Sequence, residues 1–428
     1  MEDAAFGKKV SDKRLIYGVG AFPMFAPTDA FSFDFARPTV FDATSAYDLA
    51  WEWNGDAINQ MALLGHTIGT TSLNKKVRRL PPQACSADGC VFDALGAVQW
   101  GSSCPESSIE VLRESFLRAI NGATGAQLSL SAGYDSRTLL ALSLQIGLPV
   151  FLTVMGDENS LDVVVAREVA RKAGGAIAVF PIKPSDYITH GEAIARDTSG
   201  VKLAGNWHTW LYAKASAGEF DIHLAGSNGE FARTYYEHGL AKVLHRLGGG
   251  RGAMEAFFLI KAVNALRRYR LCRSLLSVRR LKRSLRHDIL GTDVYPSHIY
   301  DCLDVFYCLE RVRHFIGSGI ACYAAFGQPR SPFLDVEWIA ATAKVFRDAK
   351  QRESYPRAVI KRFAPHLNDI PFNDAAITGE IKKDYNRFAD VVTSSEAREI
   401  IGESKHLDAF LERRTRQKAI DDNSITPK

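Results

Sequence analysis

The chain has 428 residues, which is long enough for two or three domains. Hydrophobic residues make up 46% and charged residues 24%, a balance that is typical of globular proteins and excludes disordered and collagen-like chains. There is no run of about 18 apolar residues, and no apolar stretch follows Lys8 and Lys9, so we predict neither a transmembrane helix nor a secretory signal. The seven scattered cysteines lack the spacing of a zinc site and are interpreted as reduced thiols of a cytoplasmic protein.

The net charge of +5 conceals one strongly basic segment. Between Arg246 and Arg286 there are twelve Lys or Arg residues and a single acid, Glu255, which gives +11 locally and −6 for the rest of the chain. One interpretation is a solvated helix face whose arginine stems lie on the protein surface. The other is a docking patch for an acidic partner, which could be a carrier protein, a nucleic acid or an anionic lipid surface.

The first 100 residues carry three short segments that resemble strands. Residues 16–20, 30–34 and 39–42 are rich in β-branched or aromatic residues and are bounded by Gly, Pro or Asp. We therefore expect a small β-rich domain over residues 1–100.

From residue 105 onward, predicted helices and strands alternate. An amphipathic helix over 107–120, capped by Ser107 or Ser108, leads into the first strand. Alternating strands and helices predict a parallel sheet with helices on both faces, which binds ligands at the carboxyl ends of its strands where the strand order reverses. The predicted strands are 128–130, 149–155, 176–180 and 221–225, and the predicted helices between them begin at residues 135, 160, 185 and 208.

The stretch from Gln127 to Arg137 joins a strand to a helix through small residues. Gly133 can adopt a positive φ there and lets the backbone come close to a ligand. Free N–H groups at the start of a helix bind phosphate well. Asp135 would repel a bare phosphate, so its expected task is to hold a divalent cation that bridges to one. The alternative is an ordinary Ser/Asp cap on a helix.

This stretch carries a family resemblance. The sequence Ser131-Ala-Gly-Tyr-Asp-Ser136 resembles the S-G-G-x-D-S loop of the N-type ATP pyrophosphatases, or PP-loop superfamily, and the residues that follow resemble its asparagine synthetase branch. Further segments resemble that branch in the same order over roughly residues 60–370. They are residues 63–69, 77–82, 153–156 with Asp162 and Ala166-Arg167, Gly226-Ser-Asn-Gly-Glu230 and Ser331-Pro-Phe-Leu-Asp335.

The resemblance implies a fold. It predicts an α/β domain over 105–375 with a five-stranded, doubly wound parallel sheet of order 3-2-1-4-5, similar to the adenine nucleotide alpha hydrolases, and a helical C-terminal part. A charged helical tail over 376–428 would follow. Complete asparagine synthetases begin with a glutaminase domain whose nucleophile is a cysteine, but this chain has none before Cys85. We therefore interpret residues 1–100 as a degenerate glutaminase-like remnant or as an unrelated β domain.

The resemblance also implies an activity. It predicts that a carboxylate is adenylated by ATP with Mg²⁺, and that a nitrogen nucleophile then displaces AMP to give an amide. The nitrogen could come from ammonia, from a separate subunit or from the substrate itself. Two alternatives remain open. One is a catalytically degenerate nucleotide-binding or partner-binding protein, and the other is an RNA-modifying PP-loop enzyme that uses the basic segment.

Individual roles follow from the resemblance. Asp135 and Glu230 would bind Mg²⁺. The lysine that the family carries after an isoleucine-proline pair is missing after Ile370, and the candidates to replace it are Lys361, Lys350 and Arg233. The predicted nucleotide contacts are Ser129, Ser131, Ala132, Gly133, Tyr134, Ser136, Val154, Met155, Gly226, Ser227 and Gly229.

Overall fold

The computed structural model describes residues 21–370 and 372, apart from 86–89, 203–205, 219, 221, 238, 248–249, 267–275 and 351–352. The predicted strand at 16–20 and the predicted tail at 376–428 lie outside the described residues. The strands are β1 (Phe25–Pro27), β2 (Val77–Arg79), β3 (Ala126–Ser129), β4 (Val150–Met155), β5 (Ile177–Phe180), β6 (Ile222–Leu224) and β7 (Gln328–Arg330).

Helices account for most of the remaining described chain. The α-helices are α1 (Val40–Ala46), α2 (Gly55–Leu64), α3 (Pro82–Cys85), α4 (Val91–Gly96), α5 (Pro105–Ala119), α6 (Tyr134–Ile146), α7 (Leu161–Lys172), α8 (Pro184–Asp197), α9 (His208–Ala215), α10 (Gly239–Arg246), α11 (Arg251–Leu266), α12 (Val278–Ser284), α13 (Ile299–Phe306), α14 (Gly317–Ala324), α15 (Val336–Lys344), α16 (Arg347–Lys350) and α17 (Ser354–Phe363). Two π-helices span Leu285–Leu290 and Tyr307–Ile316, and 3-10 turns span Thr28–Ala30, Phe33–Phe35, Gly229–Arg233, Pro332–Leu334 and Pro365–Leu367.

Five parallel strands form the central sheet in the order β5-β4-β3-β6-β7. This arrangement confirms the α/β class and the predicted order 3-2-1-4-5. The chain moves outward from β3 through β4 to β5 and then returns to place β6 on the other side of β3. The strand order therefore reverses between β3 and β6, and the carboxyl ends of these two strands border one crevice.

The core of this domain follows from apolar patterning. Leu128 of β3 and Leu224 of β6 are paired and fully buried. Helix α6 buries Leu139 and Leu140 against the sheet and ends at Gly147, whose φ of 68° is a left-handed cap that glycine adopts at little cost.

The β-rich expectation for the first 100 residues is wrong for the part that is described. Residues 21–85 and 90–100 contain one antiparallel strand pair, β1 with β2, two isolated antiparallel bridges, and otherwise helices and turns. The predicted strand at 39–42 is the start of α1, because the Thr39 hydroxyl accepts a hydrogen bond from the Asp42 N–H and caps the helix. Most of the predicted strand at 30–34 lies in 3-10 turns.

The predicted cap of the amphipathic helix is also wrong. Helix α5 begins at Pro105, two residues before Ser107, since proline fits the first position of a helix. Ser108 lies inside the helix and hydrogen-bonds Thr342 at 2.7 Å and Tyr355 at 2.9 Å. Its hydroxyl therefore serves tertiary packing.

Part of the basic segment has structural partners. Lys282 and Arg286 both pair with the buried Glu255, at 3.5 and 2.6 Å, and Arg280 pairs with Asp56 at 3.5 Å. These contacts favour a structural role for those three cations. Docking of an acidic partner stays a prediction, and Arg267, Arg268, Arg270 and Arg273 lie outside the described residues.

The segment 63–69 is attached to the helical C-terminal part by buried polar contacts. The Gly69 N–H donates to Glu310 Oε2 at 2.6 Å, and Thr67 Oγ1 hydrogen-bonds His314 Nδ1 at 2.7 Å.

Over the described ranges, no helix is both long and apolar enough to cross a bilayer. Five of the cysteines, at positions 90, 104, 302, 308 and 322, are free thiols.

The close packing of Gly317, in α14, against Ala21 can be tested by substitution. A Cβ atom there would overlap the carbonyl oxygen of Ala21, so we expect Gly317→Ala to lower the free energy of unfolding by about 1–3 kcal/mol in urea denaturation. Gly252→Ala is the control, because this exposed glycine of α11 has open space around it and the change should stabilise the helix by about 0.5–1 kcal/mol. An unchanged stability of Gly317→Ala contradicts the packing of residue 21 on α14.

Candidate functional site

The loop between β3 and α6 is held by its own side chains. The N–H groups of Ser131 and Gly133 donate to the hydroxyls of Ser136 and Ser131, at 3.2 and 3.1 Å. The Ala132 N–H donates to the carboxylate of Asp162 in the first turn of α7, at 2.7 Å. These bonds fix the bend from which α6 begins.

Gly133 does not adopt a positive φ, since its φ is −80°. A Cβ atom at this position would lie 3.1 Å from the hydroxyl of Ser131, which is a tight contact. The loop therefore packs tightly without a left-handed residue.

The turn after β6 lies directly against this loop. A Cβ atom on Gly226 would lie 3.1 Å from the backbone nitrogen of Ser136, and one on Gly229 would lie 2.5 Å from Asp135 Oδ1. Both glycines are thus needed for close approach. The structure therefore places the loop after β3 and the turn after β6 in contact with each other.

Asn228 lies in the second turn in a backbone conformation that most residues avoid. Its φ is 79°, in the left-handed region that asparagine tolerates better than most residues. Its amide donates to the carbonyl of Phe333 at 2.5 Å, and Ser331 Oγ donates to the carbonyl of Ser227 at 2.8 Å. The 331–335 segment, which follows β7, therefore braces the second turn.

Asp135 is the centre of a group of charged side chains. Its Oδ2 accepts from Arg233 Nη2 at 2.8 Å, and Arg233 Nη1 lies 3.9 Å from Glu353 Oε1. Glu230 Oε2 accepts from the hydroxyl of Tyr307 at 2.9 Å. Three carboxylates, those of Asp135, Glu230 and Glu353, therefore lie around one guanidinium in a largely buried place.

This environment raises the pKa of Asp135 to about 7. Burial is the largest cause, Arg233 opposes it, and the negative charges of Glu230 and Glu353 add to it. A bound cation would relieve the repulsion between these carboxylates.

The donor set fits Mg²⁺ that arrives together with phosphate. Within the described ranges, no three His, Cys, Asp or Glu residues are arranged to hold a metal by themselves. Mg²⁺ commonly uses one or two protein carboxylates and completes its shell with water and substrate phosphates. Asp135 and Glu230 can supply those carboxylates if Arg233 yields its contact.

The three candidates to replace the missing lysine differ in position. Lys361 is exposed on α17 and forms no ion pair with the described residues. Lys350 is buried and pairs with Asp304 at 3.5 Å. Of these three residues, only Arg233 contacts the loop, through Asp135.

Sequence reasoning missed a second arginine at this place. Arg357 Nη2 donates to the hydroxyl of Tyr134 at 2.9 Å, and the guanidinium lies 4.5 Å from the ring centroid of Phe372. Phe372 stacks on Tyr134 with centroids 3.9 Å apart. The available signal was helical spacing, since Arg357 lies four residues before Lys361 on one face of α17.

The predicted nucleotide contacts Ser129, Val154 and Met155 lie at the ends of β3 and β4. The side chain of Val154 belongs to the core, at 1% exposure, so any contact with a base would use its backbone, and Met155 is half-buried. The hydroxyl of Ser129 accepts from Tyr212 at 2.8 Å and lies 3.3 Å from His223 Nε2. These hydroxyls already have protein partners.

Comparison with known proteins gives distant similarity only. No family model matches the sequence, and no curated protein gives a significant match. One similar solved structure is that of NMN synthetase from Francisella tularensis, with 20% identity and a TM-score of 0.24. The similarity covers 32% of this chain and 60% of that one, so the chain spans less than two thirds of that neighbour's length.

The raised pKa of Asp135 predicts a pH dependence. Below about pH 7 its carboxyl group is mostly protonated and cannot bind a cation. The affinity for ATP in excess Mg²⁺ should therefore decrease as the pH is lowered, by a factor that approaches about ten for each pH unit. Glu353→Gln removes a charge that raises this pKa, so the midpoint should move to lower pH. Calorimetric titrations from pH 5.5 to 8.5 measure both effects. Glu168→Gln, an exposed acid on α7, should leave the midpoint in place; an equal shift in that control contradicts the assignment.

Proposed function

We propose that this protein is an ATP-dependent ligase that adenylates a carboxylate and transfers the acyl group to a nitrogen nucleophile, as the resemblance to asparagine synthetases implies. The observation that carries the proposal is the contact of Asp135 with Gly229. It joins a strand-turn-helix loop to the second small-residue turn at the point where strand order reverses. Such crevices bind nucleotides in open parallel sheets.

The reaction has two steps. In the first, a carboxylate oxygen of the substrate attacks the α-phosphorus of ATP, a new oxygen–phosphorus bond forms, and pyrophosphate leaves. In the second, an amine attacks the acyl carbon, loses a proton and expels AMP. Ammonia, a separate subunit or an amine of the substrate could supply the nitrogen. Both steps depend on positioning and on neutralising phosphate charge.

The residues around the loop divide this work. Ser131, Gly133 and Ser136 shape the bend that would hold the leaving pyrophosphate, and α6 directs its positive end toward it. Bound Mg²⁺ would supply charge neutralisation at the phosphates, held by Asp135 and Glu230. Arg233 and Arg357 are the cations that contact residues of the loop and would take the place of the missing lysine.

One observation favours a second candidate. The ion pair between Asp135 and Arg233 occupies the carboxylate that the ligase reaction needs for Mg²⁺. A protein that kept this pair would bind a nucleotide weakly and without turnover. This catalytically degenerate protein is the alternative.

Exchange of labelled pyrophosphate into ATP separates the two candidates. With a panel of carboxylic acids, we expect wild-type exchange that depends on the added acid and falls by about 100-fold or more in Asp135→Asn. Arg279→Gln, on the exposed face of α12, should keep wild-type exchange. ATP binding without exchange for any acid supports the degenerate protein.

The replacement of the lysine can be tested in the same assay. We expect Arg357→Met to lower exchange by about 10–100-fold, because its guanidinium bonds Tyr134 in the loop, while Lys361→Met changes little. The reverse ranking contradicts our choice of Arg357.

A further inference from the structure

Helix α11 has an apolar face that none of the described residues covers. Its other side packs into the core through Met254, Phe257 and Phe258. On the outward face, Ile260 and Val263 are 41% and 46% exposed. This face has no charged residue, and its remaining positions, at helical spacing, are Gly252, Ala253, Ala256 and Asn264.

The preceding helix, α10, exposes aliphatic side chains and cations together. Val243 is 53% exposed, and Leu247, whose N–H donates to the carbonyl of Val243, is 78% exposed. Lys242 and Arg246 are exposed as well, and neither forms an ion pair with a described residue. Because residues four apart share a helix face, all four side chains lie on one side of α10.

Helix α12 adds two more cations without a counter-ion. Lys282 and Arg286 are paired with Glu255 of α11, which leaves Arg279 and Arg283 exposed and one helical turn apart. Neither Arg279 nor Arg283 forms an ion pair with a described residue. Helix α11 contacts both α10 and α12, so its neighbours on both sides supply exposed cations.

Helix α12 lies beside the apolar face of α11. Glu255, which attaches α12, is three residues after Gly252 and eight before Val263. Residues at these spacings are neighbours on a helix surface, so Glu255 marks an edge of the apolar face. We call the exposed residues of α10, α11 and α12 the basic aliphatic surface, after its eight main members: Lys242, Val243, Arg246, Leu247, Ile260, Val263, Arg279 and Arg283.

The charge of this surface indicates what covers it. Between residues 239 and 286 the only acid is Glu255, which is buried. A second copy of the chain in a two-fold contact would bring like charges together, which argues against a dimer interface. The partner is therefore expected to be anionic.

The aliphatic side chains narrow the choice further. Single-stranded nucleic acids stack on aromatic side chains, and protein interfaces are enriched in aromatic residues and methionine. The basic aliphatic surface has neither. Aliphatic residues interspersed with Lys and Arg are typical of helices that lie in the headgroup region of an anionic bilayer.

We propose that the basic aliphatic surface binds an anionic lipid bilayer. Its aliphatic side chains would enter the headgroup region, where burial of apolar area favours binding, and its cations would contact lipid phosphates. The inference is independent of the proposed ligase activity, because these residues lie outside the β3–α6 loop and the turn after β6.

Co-sedimentation of the full-length protein with lipid vesicles tests this surface. We expect binding to vesicles of phosphatidylcholine mixed with phosphatidylglycerol but not to phosphatidylcholine alone, and weaker binding as NaCl is added. The double variant Arg279→Gln/Arg283→Gln should lower the partition coefficient by about tenfold or more, since each cation near an anionic surface contributes about fivefold. Val263→Asp should lower it by about tenfold, because a charge would replace an inserted methyl group.

Matched changes elsewhere serve as controls. Lys172→Gln on α7 and Ile188→Asp on α8 remove an exposed cation and an exposed aliphatic side chain, and both variants should bind vesicles as wild type does. Thermal unfolding midpoints equal to that of wild type show that the surface variants fold.

Three results would overturn the proposal. They are equal binding to neutral and anionic vesicles, unchanged binding by both surface variants, and no vesicle binding at low salt. In the last case, a dimer that Val263→Asp dissociates would assign the surface to a second copy, and salt-dependent binding of single-stranded RNA would assign it to nucleic acid. Absence of pyrophosphate exchange in wild type would overturn the ligase and leave vesicle binding unaffected.

Discussion

The structure depends on how closely two turns approach each other around the carboxylate of Asp135. Glycines at 226 and 229 leave the space, and Arg233 holds the carboxylate from the far side. A Cβ atom at position 229 would overlap the side chain of Asp135, so the carboxylate would have to shift. The same contact therefore sets the geometry of the crevice and places an acid inside it.

Charge distribution explains why this arrangement suits a phosphate-bearing ligand that arrives with a cation. Burial and the negative charges of Glu230 and Glu353 disfavour the charged form of Asp135, and Arg233 offsets only part of this effect. A divalent cation held at Asp135 would relieve this repulsion and bridge to phosphate.

The parts of the fold that depend on hydrophobic periodicity and on small residues in turns could be predicted from the sequence. Alternating elements indicated the parallel sheet, and the resemblance around Ser131–Ser136 implied the strand order that is observed. Prediction from the sequence failed where a single residue determined the local structure. Thr39 caps a helix instead of entering a strand, and Pro105 begins α5 two residues before Ser107. The partners of Tyr134 come from Arg357 and Phe372, more than 200 residues away, and local pattern gives no information about such contacts.

A crystal structure with Mg²⁺ and a non-hydrolysable ATP analogue tests the central claim most directly. The account predicts the triphosphate in the bend before α6, a cation about 2.0–2.1 Å from an oxygen of Asp135, and Arg233 moved from that carboxylate toward phosphate. A structure that keeps Arg233 on Asp135, with the nucleotide bound elsewhere or not at all at saturating concentration, would contradict it.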